Sequence, residues 1–155
     1  MYEHIVVGTD GSLTASKAVG RAADLAAAAS ATLVIVSAFR PVPEERLKVE
    51  RSGAPKDLAY VVNPHEEVDH ILAMAKKLAE TRGVAKVRTE AVDSGPSEAL
   101  IDVAEAIGAD LIVVGNQGMT GAKRFLLGSV PNRIAHHTPC DVLIVRTDPE
   151  PGEAT

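Results

Sequence analysis

Four short apolar runs, at residues 4–9, 32–39, 110–115 and 141–146, lie between turn residues and show no polar–apolar alternation. Runs of that kind predict strands covered on both faces, as in a parallel sheet. A fifth run, residues 86–93, alternates, with Val87, Thr89 and Ala91 on one side and Arg88 and Glu90 on the other. That pattern predicts an edge strand.

Helical spacing fills the intervals. Residues 13–29 carry a stripe of Ala15, Ala18, Val19, Ala22, Leu25 and Ala26. Residues 64–82 carry Val68, Ile71, Leu72, Ala75 and Leu78, with Gly83 as the C-terminal cap. Residues 96–107 begin on Pro96 and stop at Gly108, and residues 130–137 follow Ser129, a natural N-cap. Strand and helix therefore alternate along the whole chain. The expected fold is α/β: a five-stranded parallel sheet of order 3-2-1-4-5, helices on both faces, Rossmann-like. Its switch point falls between strands one and four, where open α/β sheets bind their ligands. Asp10 and Gly115 should converge there.

Two segments stand outside this pattern. Residues 40–63 contain Pro41, Pro43 and Pro55 with scattered charges and read as a mobile surface insertion. Because it leaves the C-terminal end of strand two, a role over the pocket stays open. Residues 147–155, with two prolines and three acids, read as a disordered tail. The expected organisation is one domain, residues 1–146, followed by that tail.

Composition narrows the classes. At 155 residues the chain can bury roughly two-thirds of its unfolded surface. A net charge of −5, with basic residues adjacent only in pairs such as Lys123 and Arg124, argues against nucleic acid or an anionic membrane as the main partner. Aromatic content of 3% leaves few stacking platforms for single strands. No apolar run approaches the roughly 18 residues a membrane span needs. Met1 leads straight into strand-like sequence with no basic and apolar leader, so no secretory signal is expected. A single cysteine, Cys140, cannot pair internally; it reads as a small packing residue in a cytoplasmic protein.

The chemistry concentrates after strand four. Gly115, Gly118 and Gly121 make a loop that backbone N–H groups can line, and Gly128, Ser129 and Val130 open a helix with a hydroxyl donor. Bare amides beside a helix N-terminus suit an anion, most often phosphate; the dipole alone contributes about 0.3–1 kcal/mol. Taken alone, two glycines at a strand end also fit a simple tight turn. The better-known phosphate loops are absent. No G-K-[ST] follows Gly121, and strand one ends Gly8-Thr9-Asp10-Gly11 rather than G-x-G-x-x-G. Asp10 has an ordinary alternative as a turn or capping acid before the first helix.

Four motifs in order carry a resemblance. They are Val7-Gly8-Thr9-Asp10-Gly11-Ser12, then Gly108-Ala109-Asp110-Leu111-Ile112-Val113-Val114-Gly115. The glycine spacing G-x2-G-x9-G-S and the run Thr138-Pro139-Cys140-Asp141-Val142-Leu143-Ile144-Val145 complete the set. Over residues 3–146 the chain resembles the nucleotide-binding branch of the universal stress protein family. The resemblance implies an adenine nucleotide alpha hydrolase-like fold and a homodimer. It implies that Gly115, Gly118, Gly128, Ser129 and Val130 hold phosphate, and that Asn116, Gln117, Gly118, Met119, Thr120 and Gly121 surround the ribose-phosphate. Asp10 would then sit beside the ribose or base, Gly8 and Thr9 in the pocket wall, and the backbone of Ala38 at the adenine edge.

One position departs from that pattern. Many ATP-binding members carry a basic residue where this chain has Met119, and Gln117 is uncharged too. Only Lys123 and Arg124 stand nearby, so the choice between cyclic AMP and ATP stays open, with a lean to cyclic AMP. Magnesium enters only with ATP. No catalytic or metal-ligating set is read: Asp10 is the only acid at the expected pocket, and His136 and His137 suit a helix C-terminus. A slow magnesium-dependent ATP hydrolase and a nucleotide-independent interaction module remain as alternatives. The apolar last strand, residues 141–146, falls at a sheet edge whose unpaired backbone invites a second copy of the chain.

Overall fold

The computed structural model describes residues 1–39, 64–116 and 129–147. These hold five parallel strands: β1 (His4–Gly8), β2 (Thr32–Phe39), β3 (Lys86–Asp93), β4 (Leu111–Gly115) and β5 (Asp141–Val145), in the order β3-β2-β1-β4-β5. Four helices accompany them: α1 (Leu13–Ala29), α2 (Pro64–Thr81), α3 (Pro96–Ile107) and α4 (Ser129–His137). The order is the one the alternation of patterns predicts. The tail and insertion at 148–155 and 40–63 lie outside the described residues.

Strand periodicity divides the core into two layers. Odd-numbered residues Ile5, Val7, Leu33, Ile35, Leu111, Val113 and Val145 pack beneath α1 and α2, with Ala18, Val19, Ala22, Val68, Leu72 and Ala75. Even-numbered residues of the same strands, Val6, Val34, Val36, Ile112 and Val114, pack beneath α3 and α4, with Ala99, Leu100, Ala104 and Ile134. Both sets are buried, which is why these strands show no polar alternation. Each fully buried Ile or Leu contributes about 1.5–3 kcal/mol.

β3 departs from its predicted pattern. It is the sheet edge, as expected, but Thr89 and Ala91 are exposed, while Val87, Glu90 and Val92 are half-buried. Val87 joins the layer under α1 and α2, and Val92 joins the layer under α3. The edge strand is thus partly covered on each face at different points along its length. Of the residues the alternation places with Val87 on one side, Thr89 and Ala91 are left exposed.

Local signals set the ends. Ser12 caps α1 by accepting from the Ala15 amide (3.1 Å), and Ser30 ends the helix in a left-handed conformation. Gly108 closes α3 the same way, with φ of 66°. α4 begins on Ser129 itself rather than after it.

Candidate functional site

Parallel strands joined by crossovers bring all strand C-termini to one end of the sheet, together with the helix N-termini that follow them. β1 and β4 are neighbours in the register Val7↔Val113, so Gly8 and Gly115 end adjacent strands. From β1 the chain enters α1, over the first layer. From β4 it enters α4, over the second. α1 and α4 thus cover opposite faces of the sheet beside these two strand ends, the place where open α/β sheets form a ligand crevice.

One wall is the turn from Thr9 to Ser12. The Thr9 amide donates to the Val36 carbonyl (2.9 Å), the last tie to β2. Thr9 Oγ1 then accepts from the Gly11 amide (3.1 Å), and Asp10 Oδ1 accepts from the Ser12 amide (2.9 Å). Asp10 is therefore a turn-forming acid, and Ser12 is the cap. Its exposed carboxylate still has Oδ2 with no hydrogen-bond partner among the described residues. Gly11 has φ of +83°, and a Cβ there would lie 2.8 Å from Ile71 Cγ1, so α2 presses directly on the turn. Gly8 is explained by packing: a Cβ would meet Leu100 Cδ1 of α3 at 3.0 Å.

β2 continues through Ser37, Ala38 and Phe39 after its last pairing with β1 at Val36, while β3 still pairs with it at Ala38↔Val92. The β1 side of Ala38 is thus no longer covered by a strand neighbour. Across the crevice, Ser129 is exposed at the first position of α4, and Val130 packs on the second layer. Gln117, Gly118, Met119, Thr120, Gly121 and Gly128 lie outside the described residues, as do Lys123 and Arg124. Gly8, Thr9, Asp10, Ala38, Gly115, Asn116, Ser129 and Val130 fall at the C-terminal end of the sheet.

Asn116 is held on two sides. Its amide donates to the Val145 carbonyl (2.8 Å). Its carboxamide Oδ1 accepts from both the amide (2.9 Å) and the hydroxyl (3.0 Å) of Thr147. Thr147 is 1% exposed, although the composition of residues 147–155 reads as tail. Sequence pattern missed it because a single threonine after a strand carries no periodic signal.

The opposite end of the sheet holds a different set of polar groups. Asp110 accepts from the Glu3 (2.7 Å) and His4 (2.9 Å) amides, which hold its carboxyl below the usual carboxylate range. Tyr2 donates to Asp141 Oδ2 (3.0 Å), and that bond pushes its phenol up. Cys140 is half-buried beside Thr138; burial raises its thiol, as suits the packing role read from the sequence. His136 and His137 are exposed in the last turn of α4. Among the described residues no three His, Cys, Asp or Glu side chains gather into a metal-binding group, and no helix is long and apolar enough to cross a membrane.

Comparison with known proteins agrees with this architecture. Universal stress protein Rv1636 of Mycobacterium tuberculosis is 39% identical over 146 residues, 94% of this chain and 97% of that protein. A crystal structure of a universal stress protein in complex with cAMP superposes with a TM-score of 0.71 at 35% identity, covering 95% of this chain and 98% of the other. Hypothetical protein MJ0577, whose biochemical function was assigned from its structure, superposes with a TM-score of 0.75 at 28% identity, covering 94% and 96%. The model of the universal stress protein family matches residues 1–146, and the chain belongs to that family.

Proposed function

We propose that this chain binds an adenine nucleotide in the crevice between the Thr9–Ser12 turn and the end of β4, as a sensor or reservoir in a stress response. The observation that carries the reading is the convergence of Gly8 and Gly115 on adjacent strands, with the helices that follow them packed on opposite faces. That is the switch point at which open α/β sheets hold nucleotides. In this reading Gly115, Gly118, Gly128, Ser129 and Val130 hold phosphate through amides and the serine hydroxyl. Residues 116–121 border the ribose-phosphate, Asp10 offers Oδ2 to the ribose or base, Gly8 and Thr9 line the wall, and the Ala38 backbone meets the adenine edge. No catalytic residue is assigned.

Cyclic AMP is the favoured ligand. It carries one negative charge, and Met119 and Gln117 stand where a triphosphate would need cations. A universal stress protein 35% identical to this chain and crystallised with cAMP supports the same choice. ATP, with magnesium only in its company, is the second ligand to test. The protein acts in the cytoplasm as a homodimer paired through β5, whose apolar Val142, Leu143 and Ile144 stay half-exposed at the sheet edge. A monomeric mass by sedimentation at micromolar concentration would count against that pairing.

Calorimetric titration with cyclic AMP and ATP, with and without magnesium, tests the ligand. Gly118→Val should abolish binding with the circular dichroism unchanged, and unaltered affinity in that variant would refute the site. Phosphate release from magnesium-ATP would replace the sensor with a slow hydrolase.

A further inference from the structure

We propose that Asn116 and Thr147 form a positioning clasp for the nucleotide site, an inference that rests on the reading just given. The regular β4–β5 ladder ends at Gly115↔Val145. Asn116 adds one more rung through its amide, donating to the Val145 carbonyl at 2.8 Å. Its side chain then does what a backbone carbonyl would do next, accepting both the amide and the hydroxyl of Thr147 at 2.9 and 3.0 Å. Thr147 is buried, so without that oxygen its N–H and O–H would both be orphaned away from water.

The three bonds fix both the backbone and the side chain of Asn116, the residue from which the chain departs toward residues 117–128. A set of phosphate-binding amides gains affinity when its point of departure is held before the ligand arrives. The clasp also settles what Asn116 does. Its oxygen is occupied by Thr147 and is not offered to a ribose hydroxyl, so that oxygen serves the site by position rather than by contact. Asparagine suits the task because its acceptor sits at the reach of a backbone carbonyl. Alanine has no acceptor, and glutamine carries its own a methylene further out.

Titration of the full chain with cyclic AMP and with ATP tests this. Thr147→Val, which keeps shape and loses the hydroxyl, should weaken nucleotide binding about tenfold, the equivalent of one net hydrogen bond to a buried group. Thr147→Ser should restore it. N116A combined with T147V should cost no more than N116A alone, because both remove the same clasp. Wild-type affinity in T147V, or additive losses in the double variant, would overturn the clasp and leave the nucleotide site standing. Absence of binding by the wild-type chain would instead sink the site reading and the clasp with it. If T147V does not fold, hydrogen exchange on the wild-type protein decides. Saturating nucleotide should slow exchange of the Thr147 amide, since a clasp that favours ligand must be favoured by it. An unchanged exchange rate at that amide overturns the proposal.

Discussion

The two ends of the sheet use the same polar residue types in opposite ways. At the C-terminal end, Thr9 and Asp10 each bind an amide two residues along the chain. At the N-terminal end, Asp110 binds the amides of Glu3 and His4, and Tyr2 binds Asp141, each more than one hundred residues away. The first set folds the chain onto itself and adds no side-chain tie from β1 to β4 among the described residues. The second set staples β1 to β4 and β5 and closes that end. An acid at a strand terminus is thus a tool for opening or for closing, depending only on how far away its partner amide lies. Asn116 and Thr147 are the exception at the open end, a 31-residue link that ties the end of β4 to the residue just after β5.

The strongest way to break the open end is through its turn. Gly11→Val places a β-branched residue at φ of +83° and drives its Cβ against Ile71. The left-handed conformation and the overpacking together should cost roughly 2–5 kcal/mol. Urea denaturation reads this directly. A loss below about 1 kcal/mol would mean that α2 can move off the turn and that the wall is softer than its contacts imply.

Asp110 sharpens the contrast at the closed end. Its carboxyl is held low by two backbone amides, so it stabilises the fold above the ordinary carboxylate range of about 3.9. That contribution disappears as pH falls through the lowered native value. Asp110→Asn keeps one acceptor and loses the charge, and should cost about 1 kcal/mol at neutral pH after discounting for solvent. Its stability should then fall less steeply than the wild type's in the acid range. Asp10→Asn, whose bond is local, should leave the denaturation midpoint close to wild type while weakening nucleotide binding. Equal destabilisation by the two substitutions would erase the distinction between the ends.

Periodicity made the sheet order legible because covered strands and amphipathic helices leave distinct patterns, and Gly83 and Gly108 marked helix ends by a left-handed conformation few other residues supply. The turn at Asp10 and the strand end at Gly115 were legible for the same reason. What stayed hidden depends on contacts between distant residues. Thr147 reads as tail until Asn116 is seen to hold it, and the need for glycine at position 8 shows only when Leu100 is seen to fill the space of its Cβ. Asp110 matched a family motif, yet nothing within that motif states that its partners are Glu3 and His4. β3 was legible as an edge strand, but which of its residues are covered depends on where the helices reach its two faces.

The smallest effect expected is at Tyr2, where an exposed pair holds the closed end. The neutral phenol donates to the Asp141 carboxylate, and a phenolate in the same place would be repelled by it, so the phenol is raised above its ordinary value of about 10. A raised native value means that the bond contributes fully below that ordinary value and is lost as pH climbs through the native one. The chain has two tyrosines, Tyr2 and Tyr60. Titration of phenolate absorbance in the folded wild type should therefore show a component above the ordinary range, absent in Tyr2→Phe and lowered in Asp141→Asn. Neutral-pH stability should barely change in Tyr2→Phe, because exposed pairs are screened by solvent. If that variant instead unfolded as readily as Asp110→Asn, the closed end would depend on the tyrosine rather than on the aspartate that grips two amides.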